Sequence, residues 1–489
     1  MFRFNLRCVS RLIYQQFRRA YNYSIEYSPA DKYLATKINT NIIDKPLILS
    51  TLHTMKPLSK LAPVVNDILA KARSNAALEN ISPGTEFVQG LNLEECAVLL
   101  NIEDHDLLEN LYATARWIKN RIYGNRIVLF APLYISNYCT NDCTYCGFRI
   151  SNVNMERTLL TNEELIDQTT TLINMGHKRL LILTGEHPKY PINKLIEAVE
   201  VISSVREPLL NGRIDRINVE VPPMSISDYK RLKATHKIGT VTLFQETYDP
   251  DAYEKYHPSG KKADYMYRLQ TMDRAMLAGI DDVGIGALLG LTDYRFEVMA
   301  MLMHSMHLDR TYGAGPHTIS VPRMQPADNA PDSINLNYEL SDKDFKKVIA
   351  VIRCVVPYTG MISSTRESTD MRKMMLRLGI SQMSAGSHTD VKGYGKERNT
   401  KKAQFSLQDD RSLDTTIRDL LNEDYLPSFC TACYRSGRTG AKFMKLAKAG
   451  KICEFCTPNA IETLHEYLQY FATDWTIDAY DKYILRRSA

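Results

Sequence analysis

The feature that most constrains the fold is a regular alternation of short β-branched segments with helical segments, which runs from Arg126 through eight rounds. Consecutive strands separated by helices must be parallel and joined by right-handed crossovers. Eight such units in roughly 260 residues are the number that closes a (β/α)8 barrel of the TIM type, an α/β fold. An open, partial barrel of about six units is the alternative. The candidate strands are residues 126–136, 179–186, 217–222, 240–247, 282–291, 317–324, 360–366 and 382–387.

Helical segments lie between these strands. Thr161 and Glu164 have the spacing of a capping box, and Gly279 stands where a helix is expected to stop. The predicted helices are residues 161–175, 192–205, 225–234, 264–279, 295–307, 341–355 and 368–378.

Regions on either side of the barrel (126–388) complete the predicted domain organisation. Residues 22–125 are predicted to form an N-terminal helical region that covers one end of the barrel. Residues 389–408 are rich in Lys, Gly and Asn, which indicates a long exposed loop. This loop opens a small C-terminal domain (389–489), in which predicted helices at 412–425 and 458–470 flank a cysteine-bearing segment.

Three cysteines, Cys139, Cys143 and Cys146, follow the first strand directly in a CxxxCxxC arrangement. A loop that leaves the C-terminal end of a barrel strand is where active sites of this fold form. Three thiolates in one loop can hold three irons of a [4Fe–4S] cluster and leave the fourth iron without a protein ligand. The spacing therefore predicts a cluster that can bind and activate a small molecule.

This loop resembles the signature of the radical S-adenosylmethionine (SAM) superfamily. The resemblance implies that the open iron binds SAM and that the cluster's electron releases a 5′-deoxyadenosyl radical inside the barrel. It also implies that Tyr145, the aromatic residue before the last cysteine, packs beside the adenine.

Four further positions match the superfamily's SAM-binding pattern. Thr184-Gly185-Glu186 resembles its GGE motif, so Glu186 is expected to accept a hydrogen bond from the SAM ammonium. Arg268 resembles the arginine that binds the SAM carboxylate. Glu220 and Gln245, near the ends of the third and fourth strands, are expected at the same end of the barrel.

A second group of cysteines stands near the C-terminus, as Cys430 and Cys433 followed by Cys453 and Cys456. The spacing CxxC-x19-CxxC is that of a four-thiolate zinc site, which is the first interpretation from spacing alone. A second iron–sulfur cluster is the rival interpretation.

The residues around these cysteines favour the rival. The segments Cys430-Thr-Ala-Cys-Tyr-Arg-Ser-Gly-Arg-Thr-Gly and Cys456-Thr-Pro-Asn-Ala closely resemble the C-terminal motif of the HydG family of [FeFe]-hydrogenase maturases. These are radical SAM tyrosine lyases related to 2-iminoacetate synthase. The family pattern selects Cys430, Cys433 and Cys456 as ligands of an auxiliary iron–sulfur cluster. We therefore predict that Cys453 lies near this cluster without binding it.

The resemblance to this family runs from about residue 40 to 475, and in it the second half of the barrel resembles the biotin and thiamin synthesis-associated domain. It implies cleavage of L-tyrosine into p-cresol and dehydroglycine, and conversion of dehydroglycine into carbon monoxide and cyanide. The auxiliary cluster would carry, through a bound free cysteine, an extra iron on which these ligands assemble for the hydrogenase H-cluster.

Roles for three residues of the segment Gly315-Pro-His-Thr-Ile-Ser-Val-Pro-Arg323 follow from this resemblance. Arg323 is predicted to bind the tyrosine carboxylate, with Ser320 nearby. His317 begins the sixth strand, so it faces the opposite end of the barrel, and we predict that it ligates the extra iron. The expected protein partners are a ferredoxin-type or flavodoxin-type electron donor, the other hydrogenase maturases and the [FeFe]-hydrogenase.

Two alternatives remain open at this point. One is a 2-iminoacetate synthase-type tyrosine lyase for thiamine thiazole synthesis, which lacks the C-terminal cysteine motif. The other is a non-catalytic scaffold protein that carries an iron–sulfur cluster and a zinc ion.

The charge distribution bears on location and partners. The chain has 61 Lys and Arg against 56 Asp and Glu, and five of the arginines lie in residues 1–21, which contain no Lys, Asp or Glu. An Arg-rich, acid-free, amphipathic leader is typical of a transit peptide, which predicts an organelle matrix: a hydrogenosome or mitochondrion, with a plastid as a further option. The neutral remainder predicts no nucleic-acid partner, and the lack of a long apolar run predicts no membrane span.

Overall fold

The structure is a computed structural model, and it describes residues 41–77, 90–210, 212–396, 400–449 and 451–488. The predicted leader at residues 1–21 lies outside the described residues. Within them, eight parallel strands form a closed barrel, because β1 pairs with both β2 and β8. The (β/α)8 prediction is confirmed and the open barrel is wrong. The strands are β1 Arg126–Ser136, β2 Arg179–Thr184, β3 Arg216–Glu220, β4 Ile238–Thr242, β5 Asp282–Gly286, β6 Thr318–Ser320, β7 Gly360–Ser363 and β8 Gln382–Ser384.

The helices agree with most of the predicted segments, and the capping box of Thr161 and Glu164 is present. The predicted helix at 264–279 is two short helices, and the helix at 250–256 was not predicted. In chain order the helices are α1 Lys45–Met55, α2 Ala62–Ala77, α3 Leu93–Leu100, α4 His105–Tyr123, α5 Asn162–Asn174, α6 Ile192–Ser204, α7 Ile226–Lys233, α8 Pro250–Tyr256, α9 Tyr265–Leu269, α10 Thr271–Leu277, α11 Tyr294–Tyr312, α12 Asp342–Val355, α13 Thr369–Leu378, α14 Leu413–Asn422, α15 Ala432–Arg435, α16 Gly440–Lys448, α17 Ile452–Tyr470 and α18 Asp474–Ser488.

The N-terminal helices lie along the flank of the barrel. Helices α1 and α3 pack on α11, and α4 packs on α12 and α13. That the region covers one end of the barrel stays a prediction, while its described helices lie on the flank. The reason is that the outer faces of the barrel helices still carry apolar side chains, which the N-terminal helices bury.

A ninth strand, β9 (Leu426–Ser428), connects the C-terminal region to the barrel. It runs parallel to the first three residues of β1, from Arg126 to Val128. We call the carboxyl ends of the barrel strands the upper end and their amino ends the lower end. Because β9 pairs with the start of β1, the cysteine segment that follows β9 lies at the lower end.

Residues 389–408 were predicted to be an exposed loop, but the described part of this segment is partly buried against the barrel. Val391 and Tyr394 are buried, and the Tyr394 backbone exchanges two hydrogen bonds with the Gln168 side chain. The prediction was wrong because these contacts satisfy the segment's polar groups and allow its burial. No helix in the described part of the chain is long and apolar enough to cross a membrane.

Candidate functional site

The first three cysteines lie together in the loop after β1, at the upper end. The thiols of Cys139, Cys143 and Cys146 are close enough that each raises the pKa of another through its charge, in addition to the effect of burial. Burial raises the pKa of Cys143 and of Cys146 to about 11. Without metal these thiols are protonated, so metal binding must release protons.

The cysteine loop is held by polar contacts to its own chain. The Asp142 carboxylate accepts hydrogen bonds from Arg149 Nε and the Ser151 hydroxyl, both at 2.8 Å. The Arg157 guanidinium donates to the carbonyl oxygens of Asn137 and Phe148, both at 2.7 Å. The three thiols are therefore set by a loop whose backbone is fixed at several points.

The predicted SAM-binding residues lie around this loop. Glu186 accepts a hydrogen bond from Asn141 Nδ2 at 2.8 Å, and Tyr145 Oη lies 2.8 Å from His257 Nε2. Gln245 is 3% exposed, and its Nε2 has no hydrogen-bond partner among the described residues. An unpaired buried amide is costly unless a ligand satisfies it, so this atom fits a polar cofactor group.

The sequence analysis did not predict two residues of this site, Glu246 and Lys262. Glu246 accepts hydrogen bonds from Lys262 Nζ at 2.6 Å and from Arg268 at 3.0 Å. Burial alone would raise the pKa of Glu246, but these two cations hold it at about 2. The Glu246 carboxylate thus orients the predicted SAM-binding arginine. Glu246 directly follows Gln245, which the sequence had already placed at this end of the barrel, so its position next to a predicted SAM-binding residue was the signal for it.

A cavity extends from this end into the barrel. Its upper part is lined by Tyr134, Glu220, Ser320, Arg366 and Gln404. Burial, and then the negative charge of Glu246, raise the pKa of Glu220 to about 7. Ser320 lies where the sequence predicted it, and Glu220 faces this cavity from the end of β3.

Arg323 does not line this cavity, which corrects the prediction for the substrate carboxylate. Its guanidinium pairs with Glu367 and, at 2.7 Å, with Asp342 on the outside of the barrel. Strand β6 ends at Ser320, and the chain then turns so that Arg323 lies over the ring of Phe345 in α12. Burial alone would lower the pKa of Arg323, but its ion pairs with Glu367 and Asp342 raise it, so its charge is already matched by two carboxylates.

Arg366 takes the position that the sequence assigned to Arg323. Its guanidinium lines the cavity and lies 3.3 Å from the centre of the Phe405 ring. No carboxylate of the described residues forms an ion pair with it. A guanidinium that lines a cavity and forms no ion pair is suited to bind a carboxylate.

The second set of cysteines lines a cavity at the lower end. Cys430 follows β9 directly, and the sulfurs of Cys433 and Cys456 form a hydrogen bond. This hydrogen bond, together with Arg438, lowers the pKa of Cys433 to about 6. Arginines surround them, with Arg179 donating to the Cys430 carbonyl oxygen at 2.7 Å. The charged residues, the histidine and the amide that line this cavity with the cysteines are Arg126, Arg179, Arg216, His317 and Gln382.

His317 stands at the lower end, as predicted. Its Nδ1 lies 3.6 Å from the Asp282 carboxylate and has no hydrogen-bond partner among the described residues. Burial lowers its pKa to about 4, so the imidazole is neutral. A neutral imidazole with an unpaired nitrogen is a suitable metal ligand.

Cys453 points away from the other three cysteines. Its Sγ lies 3.5 Å from the Ile122 carbonyl oxygen, and the charges that act on it come from Arg126, Lys119, Arg121 and Glu454. Cys456, by contrast, is affected by Cys430 and Cys433. This orientation agrees with the prediction that Cys453 is not a ligand.

The three cysteines at each end of the barrel suit an iron–sulfur cluster better than a single metal ion. In the described residues, no three Cys, His, Asp or Glu side chains converge closely enough to hold one metal ion. A four-thiolate zinc site requires four converging thiols, and Cys453 is turned away from the other three, which agrees with three rather than four cysteine ligands at the lower end. A [4Fe–4S] cluster is larger, its ligands bind separate corners, and three thiolates at each end leave one corner open.

The two ends are connected through the barrel. The upper and lower cavities share Arg216, His317 and Gln382 as lining residues. Along β1 the two cysteine sites are separated by the length of an 11-residue strand, or about 25–30 Å once strand tilt is considered. The sequence-based hypothesis of two sites at opposite ends of one barrel therefore agrees with the structure.

Comparison with known proteins supports this geometry. Residues 133–303 match the radical SAM superfamily, and residues 320–426 match the Biotin and Thiamin Synthesis associated domain. The 2-iminoacetate synthase of Escherichia coli K12 is 32% identical over 340 residues, which are 69% of this chain and 86% of that protein.

Two solved structures of [FeFe]-hydrogenase maturases cover more of the chain. One HydG structure superposes with a TM-score of 0.83 at 47% identity, over 91% of this chain and 93% of the other. HydG from Carboxydothermus hydrogenoformans superposes with a TM-score of 0.75 at 36% identity, over 91% and 95% of the two chains. The chain belongs to the HydG family of radical SAM enzymes.

Proposed function

We propose that this enzyme cleaves the Cα–Cβ bond of L-tyrosine at the upper end of the barrel and converts the dehydroglycine fragment into carbon monoxide and cyanide at the lower end. The products would be p-cresol and an iron carrying carbon monoxide and cyanide for assembly of the [FeFe]-hydrogenase H-cluster. The observation that carries the proposal is the pair of three-cysteine sites at opposite ends of one barrel, whose upper and lower cavities share lining residues.

At the upper end, Cys139, Cys143 and Cys146 would hold a [4Fe–4S] cluster. With SAM bound, the cluster would supply the 5′-deoxyadenosyl radical that takes a hydrogen atom from the tyrosine amine. Gln245 and Arg268 would bind polar groups of SAM, because one has an unpaired amide and the other is oriented by Glu246.

In the cavity, Arg366 would bind the tyrosine carboxylate. Its guanidinium lines the cavity, and a planar guanidinium can bind a carboxylate through two parallel hydrogen bonds. Phe130, Leu181 and Phe244 line the same cavity and exclude water from the reacting bond. Ser320 and Thr242 supply hydroxyl groups to the same cavity.

At the lower end, Cys430, Cys433 and Cys456 would hold the auxiliary cluster, and His317 would bind the extra iron that leaves as part of the product. The bound free cysteine that links this iron carries a carboxylate. Arg126, Arg179 and Arg216 give the cavity the positive charge that suits such an anion.

Anaerobic turnover with SAM, a reductant and L-tyrosine tests the proposal, with p-cresol and carbon monoxide measured in the same reaction. We expect both products from the wild type, and p-cresol without carbon monoxide from Cys430→Ser. A wild-type protein with its full iron content that makes no p-cresol would contradict the proposal.

The similarity to 2-iminoacetate synthase supports a second candidate, a tyrosine lyase that serves thiamine thiazole synthesis. It shares the upper-end chemistry and makes no use of the lower cysteines. Release of p-cresol by the wild type without carbon monoxide or cyanide would favour this candidate.

The predicted location and protein partners are part of the proposal. The Arg-rich leader at residues 1–21 supports import into a hydrogenosome, a mitochondrion or a plastid. A ferredoxin-type or flavodoxin-type carrier would reduce the upper cluster, and the other maturases and the hydrogenase would receive the product. A fusion of residues 1–40 to a fluorescent protein that stays outside the organelle would contradict the import prediction.

A further inference from the structure

A buried carboxylate lies behind the upper site and has no role in the mechanism above. Glu297, in the first turn of α11, is 1% exposed. No Lys or Arg of the described residues forms an ion pair with it, and burial raises its pKa to about 7. A carboxyl group buried without a cation is costly unless several donors satisfy it, so its hydrogen bonds indicate what it holds in place.

Two of the three donors to Glu297 come from the turn that follows β4. The Thr247 hydroxyl and the Tyr248 backbone N–H, at 2.9 Å, both donate to its carboxylate, and the third donor is the Thr292 hydroxyl. The Tyr248 carbonyl oxygen accepts from the Tyr265 hydroxyl at 2.8 Å. The end of this turn is therefore fixed to two other elements of the protein.

The turn itself has a strained backbone. Glu246, directly before Thr247, has a φ of 73°, in the left-handed region that residues with a side chain rarely occupy. Such a conformation persists only where surrounding contacts impose it. The hydrogen bonds that Glu297 accepts from the next two residues are contacts of this kind.

The strained turn carries the groups that face the cofactor. Gln245 presents its unpaired amide from one side of the turn. Glu246 directs its carboxylate onto Lys262 and Arg268, and Arg268 also donates to the Phe244 carbonyl oxygen at 2.7 Å. A relaxed φ at Glu246 would move the Gln245 amide and the anion that orients Arg268 together.

We propose that Glu297 is a positioning residue for SAM: through Thr247 and Tyr248 it holds the left-handed turn at Glu246 and thereby places Gln245 and Arg268 against the cofactor. This inference rests on the SAM site proposed above. It does not depend on the identity of the substrate or on the lower cluster.

The test compares reconstituted wild type with Glu297→Gln, which keeps the side-chain length and replaces one acceptor oxygen by a donor. The matched control is Asp273→Asn. Asp273 is also fully buried, but it accepts its hydrogen bonds from His307 at 2.7 Å and Tyr312 at 2.8 Å, away from the turn. SAM affinity is measured by equilibrium binding, and the reduced cluster is observed by electron paramagnetic resonance with and without SAM.

For Glu297→Gln we expect SAM affinity to fall by about tenfold or more and the SAM-induced change of the cluster spectrum to be reduced. The KM for tyrosine and the iron content are expected to stay within about twofold of the wild type. Thr247→Val, which removes one donor from the turn, is expected to give a smaller effect of the same kind. Asp273→Asn is expected to lower thermal stability without changing SAM affinity.

Unchanged SAM affinity in Glu297→Gln, or an equal loss in Asp273→Asn, would overturn the inference. If Glu297→Gln fails to fold, Thr247→Val decides by the same measurement. SAM binding and the cluster spectrum are measured without tyrosine, so failure of the tyrosine lyase proposal would leave this test intact.

Discussion

The two three-cysteine sites have the same number of thiols, but the chain builds them in different ways. Cys139, Cys143 and Cys146 lie in one loop, directly after β1. At the lower end, Cys430 and Cys433 follow β9, whereas Cys456 comes from α17. The upper site is thus a product of local sequence, whereas the lower site requires α17 to pack against β9 and brings together thiols from two separate segments.

The two sites also differ in charge. The upper site balances Lys262 and Arg268 against two carboxylates: Glu246, which pairs with both cations, and Glu186, which accepts a hydrogen bond from Asn141 in the cysteine loop. The lower cavity is lined by three arginines, and the neighbouring carboxylate, Asp282, accepts hydrogen bonds from Tyr434 and the Gly440 N–H. A balanced site suits a zwitterionic cofactor such as SAM, whereas an excess of cations suits anionic ligands.

The largest effect is expected from removing an upper ligand. Cys143→Ser should lower p-cresol formation by at least roughly 1000-fold, and carbon monoxide with it, because both depend on the radical step. The measurement is product release in anaerobic turnover. Cys430→Ser, which should lose only carbon monoxide, is the contrasting variant. A Cys143→Ser protein that still cleaves tyrosine would remove the distinction between the two sites.

The second-largest effect is expected from removing the arginine that we assign to the tyrosine carboxylate. Arg366→Gln should raise the KM for tyrosine by about 10- to 100-fold, because it removes a charged hydrogen bond in a buried cavity. Steady-state kinetics with varied tyrosine measures this. Arg323→Gln is the matched control and should lower thermal stability, since Arg323 pairs with Glu367, while the KM for tyrosine stays within about twofold. The reverse pattern would restore the original prediction for Arg323.

The connection between the two ends can be tested separately. Thr242 lines the cavity between them, and Thr242→Leu should narrow it because barrel interiors are closely packed. We expect the ratio of carbon monoxide to p-cresol to fall about fivefold, with Thr242→Ser close to wild type. An unchanged ratio in Thr242→Leu would show that dehydroglycine leaves the barrel and returns from solvent.

The smallest effect is expected for the fourth lower cysteine. Cys453→Ser should retain its iron content and both products within about twofold, because it loses only a weak contact with the Ile122 carbonyl oxygen. Cys456→Ser, one helical turn away, should lose the lower cluster. Iron analysis and turnover measure both variants. Loss of the cluster in Cys453→Ser would contradict the orientation of this side chain.

The limits of sequence-based prediction are visible at particular elements. The eight barrel strands were predicted, but several are shorter than predicted. The sixth strand was predicted to span residues 317–324, whereas β6 ends at Ser320. That early end turns Arg323 outward and leaves the cavity to Arg366. Strand β9 was missed because it has three residues and contains Pro427, which argues against a strand. Residues 389–408 appeared exposed by composition, although Tyr394 is buried through two hydrogen bonds to Gln168.

The sequence by itself determined the barrel, the upper cysteine loop and the family. Strand–helix alternation and closely spaced ligands are local properties, so they can be recognised without knowing how the chain packs. The tertiary structure decided which arginine faces the cavity, that Cys453 turns away from the other three cysteines, and that Glu297 lies behind the cofactor turn. These properties depend on what packs against each side chain from a distant part of the chain. Spacing along the sequence does not specify those contacts.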